Sequence, residues 1–503
     1  MSTTKRTIKV AIVGSGLAGL TAAYRLTTAT LLDKDVELEV HLFEKSESLG
    51  MDAHSINISL STPDPLNDVF RVDVPMRSFL DGYYPHLIKL YKHVGIEFQR
   101  ANYSYSLSKL SFASGKRKMK TAVLYNGNSG LSGISMPSDT YDSNESCSRF
   151  RRDTTFGAWI EGNCPRNPLA RLLRFDTSWN LLCYDILLPL FSGICTASRE
   201  EILNHPVLDF LDCIWAGLLG HHYVAANNVQ DVVERLSGPI RYVHTNCAIA
   251  SMSPDSNDSG KITLTTSQSG KTFSGFSHVI FACQASAVPP ILSSYLDNLP
   301  SSSKQKVHVK DAIECTKTFK YRTTVTINHT DESFLSKDSR DRRDLNLVDS
   351  LPDTYWPLER SELCRDYTCT MATHIVTRPS PGRSIPAAIY QTTNPMFPPR
   401  PESVLSVTYL ERAVLTVKSK RALQDLSTEE RKWWQSYAER KTHLGRLQGC
   451  GRRQEKSVPG IWFCGSYASA GIPLLEGCVV SAKDVVDQGI FASEGIRFAG
   501  SEW

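Results

Sequence analysis

The sequence has no Cys-x-x-Cys pair, no internal repeat, no second G-x-G-x-x-G and no excess of charge of either sign. Each absence excludes something. With 56 basic against 52 acidic residues, the net charge of +4 is too balanced to suggest nucleic acid or an anionic membrane as partner. The 13 cysteines are odd in number and scattered, so neither a disulfide framework nor a zinc site is expected, and no metal is predicted. The opening MSTTKR runs within a few residues into an apolar stretch and leaves no room for a signal peptide, so the expectation is a reduced, cytoplasmic protein. The most apolar segment, WNLLCYDILLPLFSGIC (179–195), carries Asp185 near its middle and then Pro189, and stops short of ~20 uninterrupted apolar residues. It reads as a buried helix or a pocket-lining segment, not a membrane span.

What is present is an ordinary globular composition, 41% hydrophobic and 21% charged, in a chain of 503 residues, longer than one core usually supports. Residues 7–13 (TIKVAIV) read as a strand buried on both faces, 17–28 as a helix, and VELEVHLFEK as a second strand ending at Glu44, which together make a βαβ unit. A helix is expected within 83–99, a flexible Ser/Asn/Gly-rich insertion over 127–155, and mostly helix from 157 to 237. IRYVHTNCAIASM, GKITLTTSQSG and KTFSGFSHVIFAC suggest a small β-meander returning to a buried strand at 278–283. Further strands are expected at 320–330 and 403–410, and a charged helix in STEERKWWQSYAERK, with Trp433 and Trp434 packed by default. The chain closes on a strand, a glycine-rich loop and a helix.

The stretch VAIVGSGLAGLTAAYRL carries the clearest chemistry. Gly14 permits the tight strand-to-helix turn, Gly16 lets backbone approach a phosphate, and Gly19 lets the helix pack close on the sheet. The helix N-terminus then offers N–H donors and partial positive charge to a pyrophosphate. A carboxylate at the end of the second strand should hold the adenosine ribose. Glu44 fits better than Asp33 or Asp35, which precede that strand. The far end of the chain adds Phe463-Cys464-Gly465-Ser466, then Gly471-Ile472-Pro473, then Glu476-Gly477 opening a helix that can aim its dipole at a flavin.

On these two motifs, with SLGMDAHSI, VDVPMRSF, YPHLIKLYKHVGIE, LLPLFSGICTASREEI, HVIFACQA, INHTDESFL and YQTTNP between them, the sequence resembles the flavin-containing amine oxidase and desaturase superfamily. It is most similar to a branch of predicted FAD/NAD(P)-binding oxidoreductases with few assigned substrates. The likeness covers most of the chain apart from 127–155 and parts of 336–366. It implies an α/β fold of the GR2 flavoprotein type, a Rossmann-like FAD-binding domain (1–75, 225–305, 445–492) interleaved with an α+β substrate domain (76–224, 306–444). It also implies noncovalent FAD, since no cysteine motif for covalent attachment is present. Gly14, Ser15, Gly16, Ala18, Gly19, Glu44 and Lys45 would hold the ADP half, with His54 near the pyrophosphate or ring. Met76 and Arg77 would pass beside the isoalloxazine, the backbone at Ala248 would meet the adenine side, and Gly465, Ser466, Pro473 and Leu474 would cover the ribityl chain and flavin. Three positions depart from the pattern: Met51 stands for a second glycine, Ser466 for an aspartate, and Asn228 for a glycine.

Without a second nucleotide motif, the flavin would be reduced by a small-molecule substrate and reoxidised by dioxygen or another acceptor. The expected activity is therefore removal of hydride from an amine or a carbon chain or ring. A redox-neutral isomerase or cyclase on a lipid-like substrate and a non-catalytic dinucleotide-binding scaffold are the alternatives. Arg77 is the one catalytic candidate, with a domain-interface ion pair as its bland counterpart. His329 and Asp331 read as a turn pair, and His221-His222 as no metal site.

Overall fold

The computed structural model describes residues 5–52, 54–59, 69–113, 116–128, 131–135, 137–138, 154–218, 220–350, 362–364, 367–377, 388–431, 435, 437–500 and 503. Trp433 and Trp434 lie outside them, as does most of the 127–155 segment.

The first strand, Arg6–Val13, is apolar throughout its second half because it is covered on both faces. Ile8, Val10 and Ile12 face the helices Leu17–Thr28 and Leu475–Asp484, whereas Ala11 and Val13 face the helices Val288–Asn298 and Gln305–Lys317. The strand pairs in parallel with Val36–Phe43 on one side and His278–Phe281 on the other; Tyr242–His244 and Gly460–Phe463 complete the sheet at its two edges. In chain order the five strands run 3-2-1-4-5, so the connections reverse direction beside the first strand. Ligands of open parallel sheets bind at that reversal, beyond the strands' carboxyl ends.

The meander differs from the expectation at one end. Tyr242–His244 joins the parallel sheet, and only Ile249–Pro254, Ile262–Thr266 and Thr272–Phe276 form the antiparallel ribbon. Asn246, at φ +50°, makes the turn between the two sheets, a conformation asparagine tolerates.

The second large sheet has eight strands, in the order 404–414, 320–329, 389–393, 371–377, 345–350, 105–113, 116–125, 134–135. It is antiparallel except where Leu345–Ser350 runs parallel to Tyr105–Ala113. Its last strand, Ile134–Ser135, lies in the segment expected to be a flexible insertion, so the described part of that segment is an ordered sheet edge. The expected charged helix is corrected as well: Ser427–Glu430 and Lys441–Leu444 pair as an antiparallel ribbon. The alternation of that segment's side chains is tertiary in origin and gave no period-2 signal against its run of charges.

Residues 175–195 form one helix of 21 residues, long and apolar enough to cross a membrane, with only 28% of its most apolar stretch buried. Leu188, Phe191 and Ser192 are buried against Phe156 and Phe210, while Phe175 and Leu182 are exposed. The expectation of a buried helix or pocket-lining segment therefore holds for one face of the helix, which carries Cys183, Leu188 and Phe191 into the core. Asp185 within it pairs at 3.0 Å with Lys109, which also meets Asp349 at 3.1 Å.

Three polar ties lock the two halves. Gln391 accepts from the Met76 N–H at 2.7 Å and donates to the Asp73 and Asn328 oxygens at 3.0 Å. Asp73 accepts from Val229 N–H at 3.1 Å, capping the helix Asn228–Ser237, where Asn228 takes the left-handed φ of +72° expected of the glycine it replaces. Glu476, 1% exposed, accepts from the N–H groups of His86 and Leu87 and from His86 Nδ1, and so caps the helix Pro85–His93 from the closing helix. Replacing it by alanine strands two backbone donors in the core. Glu476→Ala is expected to cost about 2–4 kcal/mol by urea unfolding, whereas Glu234→Ala on an exposed helix face changes stability by under about 0.5 kcal/mol.

Candidate functional site

The glycines of the opening loop divide into two that the fold requires and one that it does not. A Cβ on Gly14, at φ +104°, would stand 3.0 Å from the Ala282 carbonyl oxygen, and one on Gly19 would stand 1.9 Å from that of Gly14. Gly16 has ordinary dihedrals (φ −60°, ψ 177°), and a Cβ built on it meets no atom within 4 Å. It is also the N-cap of the Leu17–Thr28 helix, where it offers no side chain to the first-turn N–H groups. The open space thus lies in front of a helix N-terminus, which is the cradle a phosphate requires.

Glu44 stands at the carboxyl end of the second strand, 8% exposed. Its Oε2 accepts from Ser15 N–H (3.0 Å) and Ser15 Oγ (2.5 Å), and its Oε1 from Ser46 N–H (2.9 Å). Ser15 Oγ in turn accepts from Gly50 N–H at 2.9 Å, so the carboxylate organises the whole loop. Ala248 lies against this corner: the adjoining Cys247 N–H donates to the Glu44 carbonyl at 2.7 Å, and the Ala248 carbonyl accepts from Ser267 N–H at 2.9 Å. At the other end, Ser481 Oγ accepts from Gly465 N–H at 2.9 Å and holds the Gly465–Ser466 turn, where Gly465 has φ +147°.

Both glycine-rich ends open on one cavity of about 480 Å³. Gly16, His54, Met76, Arg77, Ser466, Pro473 and Leu474 line it. Gly14, Ser15, Ala18, Gly19, Glu44, Lys45, Ala248 and Gly465 stand outside its lining, Lys45 being exposed. Met51, buried at the position where a glycine was expected, also lines it, and its carbonyl accepts from Arg77 Nη2 at 2.6 Å. Burial lowers the pKa of His54, and the nearby charges of Arg77 and Lys45 lower it further. Three cationic or potentially cationic side chains thus gather beside the Gly16 cradle, an arrangement suited to a polyanion. These residues fit the pyrophosphate and ring of a bound dinucleotide.

The cavity's opposite wall is the eight-stranded sheet, and its residues come from register. Tyr105, Leu345, His374 and Gln391 are cross-strand neighbours in one row, and Leu347, Ala372, Thr393 and Thr326 in the next. All eight line the cavity, with Leu410 and Arg412 from the edge strand and Leu190, Gly193 and Ile194 from the 175–195 helix. Several cavity residues were not singled out from sequence: Tyr103, Tyr105, Thr324, Thr326, His374 and Arg412; His222, singled out only as half of a pair unlikely to bind metal, also lines the cavity. Of the motifs read from sequence, YQTTNP reaches this wall through Gln391 and Thr393, and the 179–195 segment, read as a buried helix or a pocket-lining segment, reaches it through Leu190, Gly193 and Ile194. His374 has its pKa lowered to about 4 by burial, and Tyr103, whose ring meets it edge-on at 5.3 Å, is raised to about 12. His222 is also pushed down by burial. All three are therefore neutral at pH 7.

His329 and Asp331 lie away from the cavity and form the turn that the sequence suggested. Asp331 N–H donates to His329 Nδ1 at 3.1 Å, Nε2 faces Thr392 Oγ1 at 2.8 Å, and Asp331 accepts from Ser333 and Arg400 N–H groups. No group of three or more metal-ligating side chains occurs among the described residues, and His221 bonds Asn102 and Arg100.

Residues 12–94 match the NAD(P)-binding Rossmann-like domain family. Among solved structures the chain is similar to cyclohexylamine oxidase from Brevibacterium oxydans IH-35A, at 12% identity and a TM-score of 0.49 over 97% of this chain and 99% of that one. It is also similar to an oxidoreductase from Methanosarcina mazei (12%, TM-score 0.49, 95% and 100%) and to putrescine oxidase (14%, TM-score 0.46, 97% and 100%). No curated protein matches by sequence. The chain is an α/β protein with a Rossmann-like domain.

Two outcomes follow from the site. Gly16→Val should leave the melting temperature unchanged and lower dinucleotide affinity by about 100-fold, about 2.8 kcal/mol, in a binding titration. Gly19→Val, with no room for a side chain, should fail to fold. The second concerns pH. His374 and His329 both titrate near 4 in the fold against an ordinary value of 6.5, so the unfolded chain binds more protons between those values. Stability is then complete above pH 6.5 and falls as pH drops towards 4; His374→Phe should flatten that slope in melting scans.

Proposed function

We propose that the protein is a flavin-dependent oxidoreductase that takes a hydride from a small organic molecule, of the amine oxidase and desaturase kind that its motifs resemble. The observation that carries this reading is the convergence of two glycine-rich turns, from opposite ends of the chain, on one cavity walled by a second sheet. A nicotinamide that comes and goes needs only the first of these. The second, with Pro473 and Leu474 leading into the Leu475–Asp484 helix, suits a ring held from both sides.

FAD would be held noncovalently, its pyrophosphate at Gly16 with His54 and Arg77 close by, its ribose at the Ser15–Glu44 corner. Ser466, Pro473 and Leu474 would border the flavin. Once bound, a flavin supplies a two-electron acceptor, which dioxygen or another acceptor then reoxidises. The chain's own part is positioning and exclusion of water: Gln391 fixes the Met76–Arg77 segment to the sheet, and Leu190, Ile194, Leu345, Leu347 and Leu410 keep the substrate side apolar. Arg77, tied to the Met51 carbonyl, is placed to meet negative charge on ligand or ring. The neutral His222 and His374 are available to exchange a proton with substrate. A reduced, cytoplasmic setting is part of the same reading.

Denaturing the purified protein and analysing the released chromophore by absorbance and mass tests this directly. FAD in near one-to-one ratio is expected. A colourless protein that takes up neither FAD nor its fragments would favour the scaffold reading, and flavin that no substrate bleaches under anaerobic conditions would favour a redox-neutral enzyme.

A further inference from the structure

The residues lining the cavity include Arg77 and Arg412 and no aspartate, glutamate or lysine among the described residues. Arg77 is engaged by the Met51 carbonyl. Arg412 is different. It projects from the edge strand Val404–Val414 opposite Arg322, but Arg322 is neutralised by Glu201 at 2.7 Å, whereas among the described residues no carboxylate pairs with the Arg412 side chain. Its Nε is buried without a partner. Burial, and then the nearby charge of Arg77, depress its pKa to about 10. Arg412 is half-buried, with its Nε out of water and the rest of the guanidinium bordering the cavity; a guanidinium partly removed from water without a counter-ion is costly, and a ligand anion would relieve that cost.

The surrounding polar atoms are also unused. Thr324 Oγ1, Thr326 Oγ1, His222 Nδ1 and His374 Nδ1 are buried without hydrogen-bond partners, and all four residues line the same cavity. The remainder of this end is apolar or aromatic: Leu190, Ile194, Leu347, Leu410, Tyr103 and Tyr105. We propose that Arg412 anchors a carboxylate on an otherwise apolar substrate, and that the chamber discriminates against substrates carrying a positive charge. The inference deepens the flavoenzyme reading and rests on it for the identity of the second occupant. Electrostatically the chamber is the reverse of one built for an ammonium: a protonated amine would enter facing two guanidiniums and no acid. Arg is suited to the task because its planar fork meets both carboxylate oxygens at once. The threonine hydroxyls, next to Leu410 and Arg412 in the strand pairing, can add a hydrogen bond to the same group.

The test is a titration of the purified holoprotein with benzoate, cinnamate and benzylamine, read both by perturbation of the flavin spectrum and by melting temperature. The two carboxylates should bind saturably and raise the melting temperature; benzylamine should do neither. Arg412→Met should retain its flavin, melt at or above the wild-type temperature because an unpaired buried charge is gone, and lose roughly 10- to 100-fold in carboxylate affinity. Arg412→Lys should recover part of that affinity. Unchanged benzoate affinity in Arg412→Met, or tighter binding of benzylamine than benzoate by the wild type, would overturn the proposal. Loss of flavin from Arg412→Met would assign the guanidinium to the cofactor and overturn it equally. If the protein takes up no flavin at all, the flavoenzyme reading fails, while an Arg412-dependent benzoate shift in melting temperature would still uphold the anion site, and its absence would reject it.

Discussion

The ligand-facing end of this protein depends on backbone passing against backbone at the carboxyl edge of the first strand. The carbonyl oxygen of Gly14 occupies the place where Gly19 would carry a Cβ, and that of Ser15 the place where Gly50 would carry one, at 1.9 and 1.8 Å. No side chain fits at either point, so the helix Leu17–Thr28 sits as close to the sheet as the main chain allows. That closeness sets the helix N-terminus at the reversal of strand order and leaves the space in front of Gly16 open. Glu44 then ties the loop from below through Ser15, and Ser15 reaches on to Gly50. The backbone contact, the carboxylate and the open cradle are one arrangement.

The second half of the molecule is useful only because it is held in a fixed relation to that edge. Gln391, deep in the eight-stranded sheet, grips the Asp73–Met76 segment, and Asp73 caps a helix of the Rossmann half. Glu476 performs the same service in the other direction, from the closing helix to the helix Pro85–His93. Gln391 and Glu476 are buried and Asp73 half-buried, and each accepts from backbone N–H groups, so the two halves cannot separate without stranding those donors. The cavity is what lies between, and its shape is fixed by these ties as much as by apolar packing.

Its charge distribution is as informative as its shape. The nucleotide side has His54 and Arg77 in the lining with the charge of Lys45 nearby, and the sheet wall adds Arg412, close enough to feel Arg77, with no acid among the described lining residues. The titratable groups between them are histidines and tyrosines kept neutral by burial. The chamber itself presents only cationic and neutral groups to a substrate, which makes its chemistry a matter for these residues and not for the fold.

Much of the Rossmann half was legible in the sequence because its signals are local. A strand covered on both faces must be apolar throughout, three glycines at fixed spacing answer three steric demands within six residues, and Glu44 follows from where a strand must end. Asn228 could be read as a glycine substitute for the same reason, since left-handed backbone is a local preference. The opposite wall was not legible. Tyr105, Thr324, Thr326, His374 and Arg412 come from four strands of a sheet whose neighbours are far apart in sequence, and only strand register puts them side by side. The hairpin at 105–125 and the ribbon at 427–444 escaped notice because their charged, alternating residues resemble solvated surface until the partner strand is known. The sequence by itself determined that a dinucleotide loop lies near one end and a glycine-rich turn near the other, because the spacing of glycines between an apolar strand and a helix is a property of neighbouring residues. Only the tertiary structure decided that an unpaired guanidinium and four unused polar atoms share one chamber, because burial and the absence of a counter-ion are properties of the assembled fold.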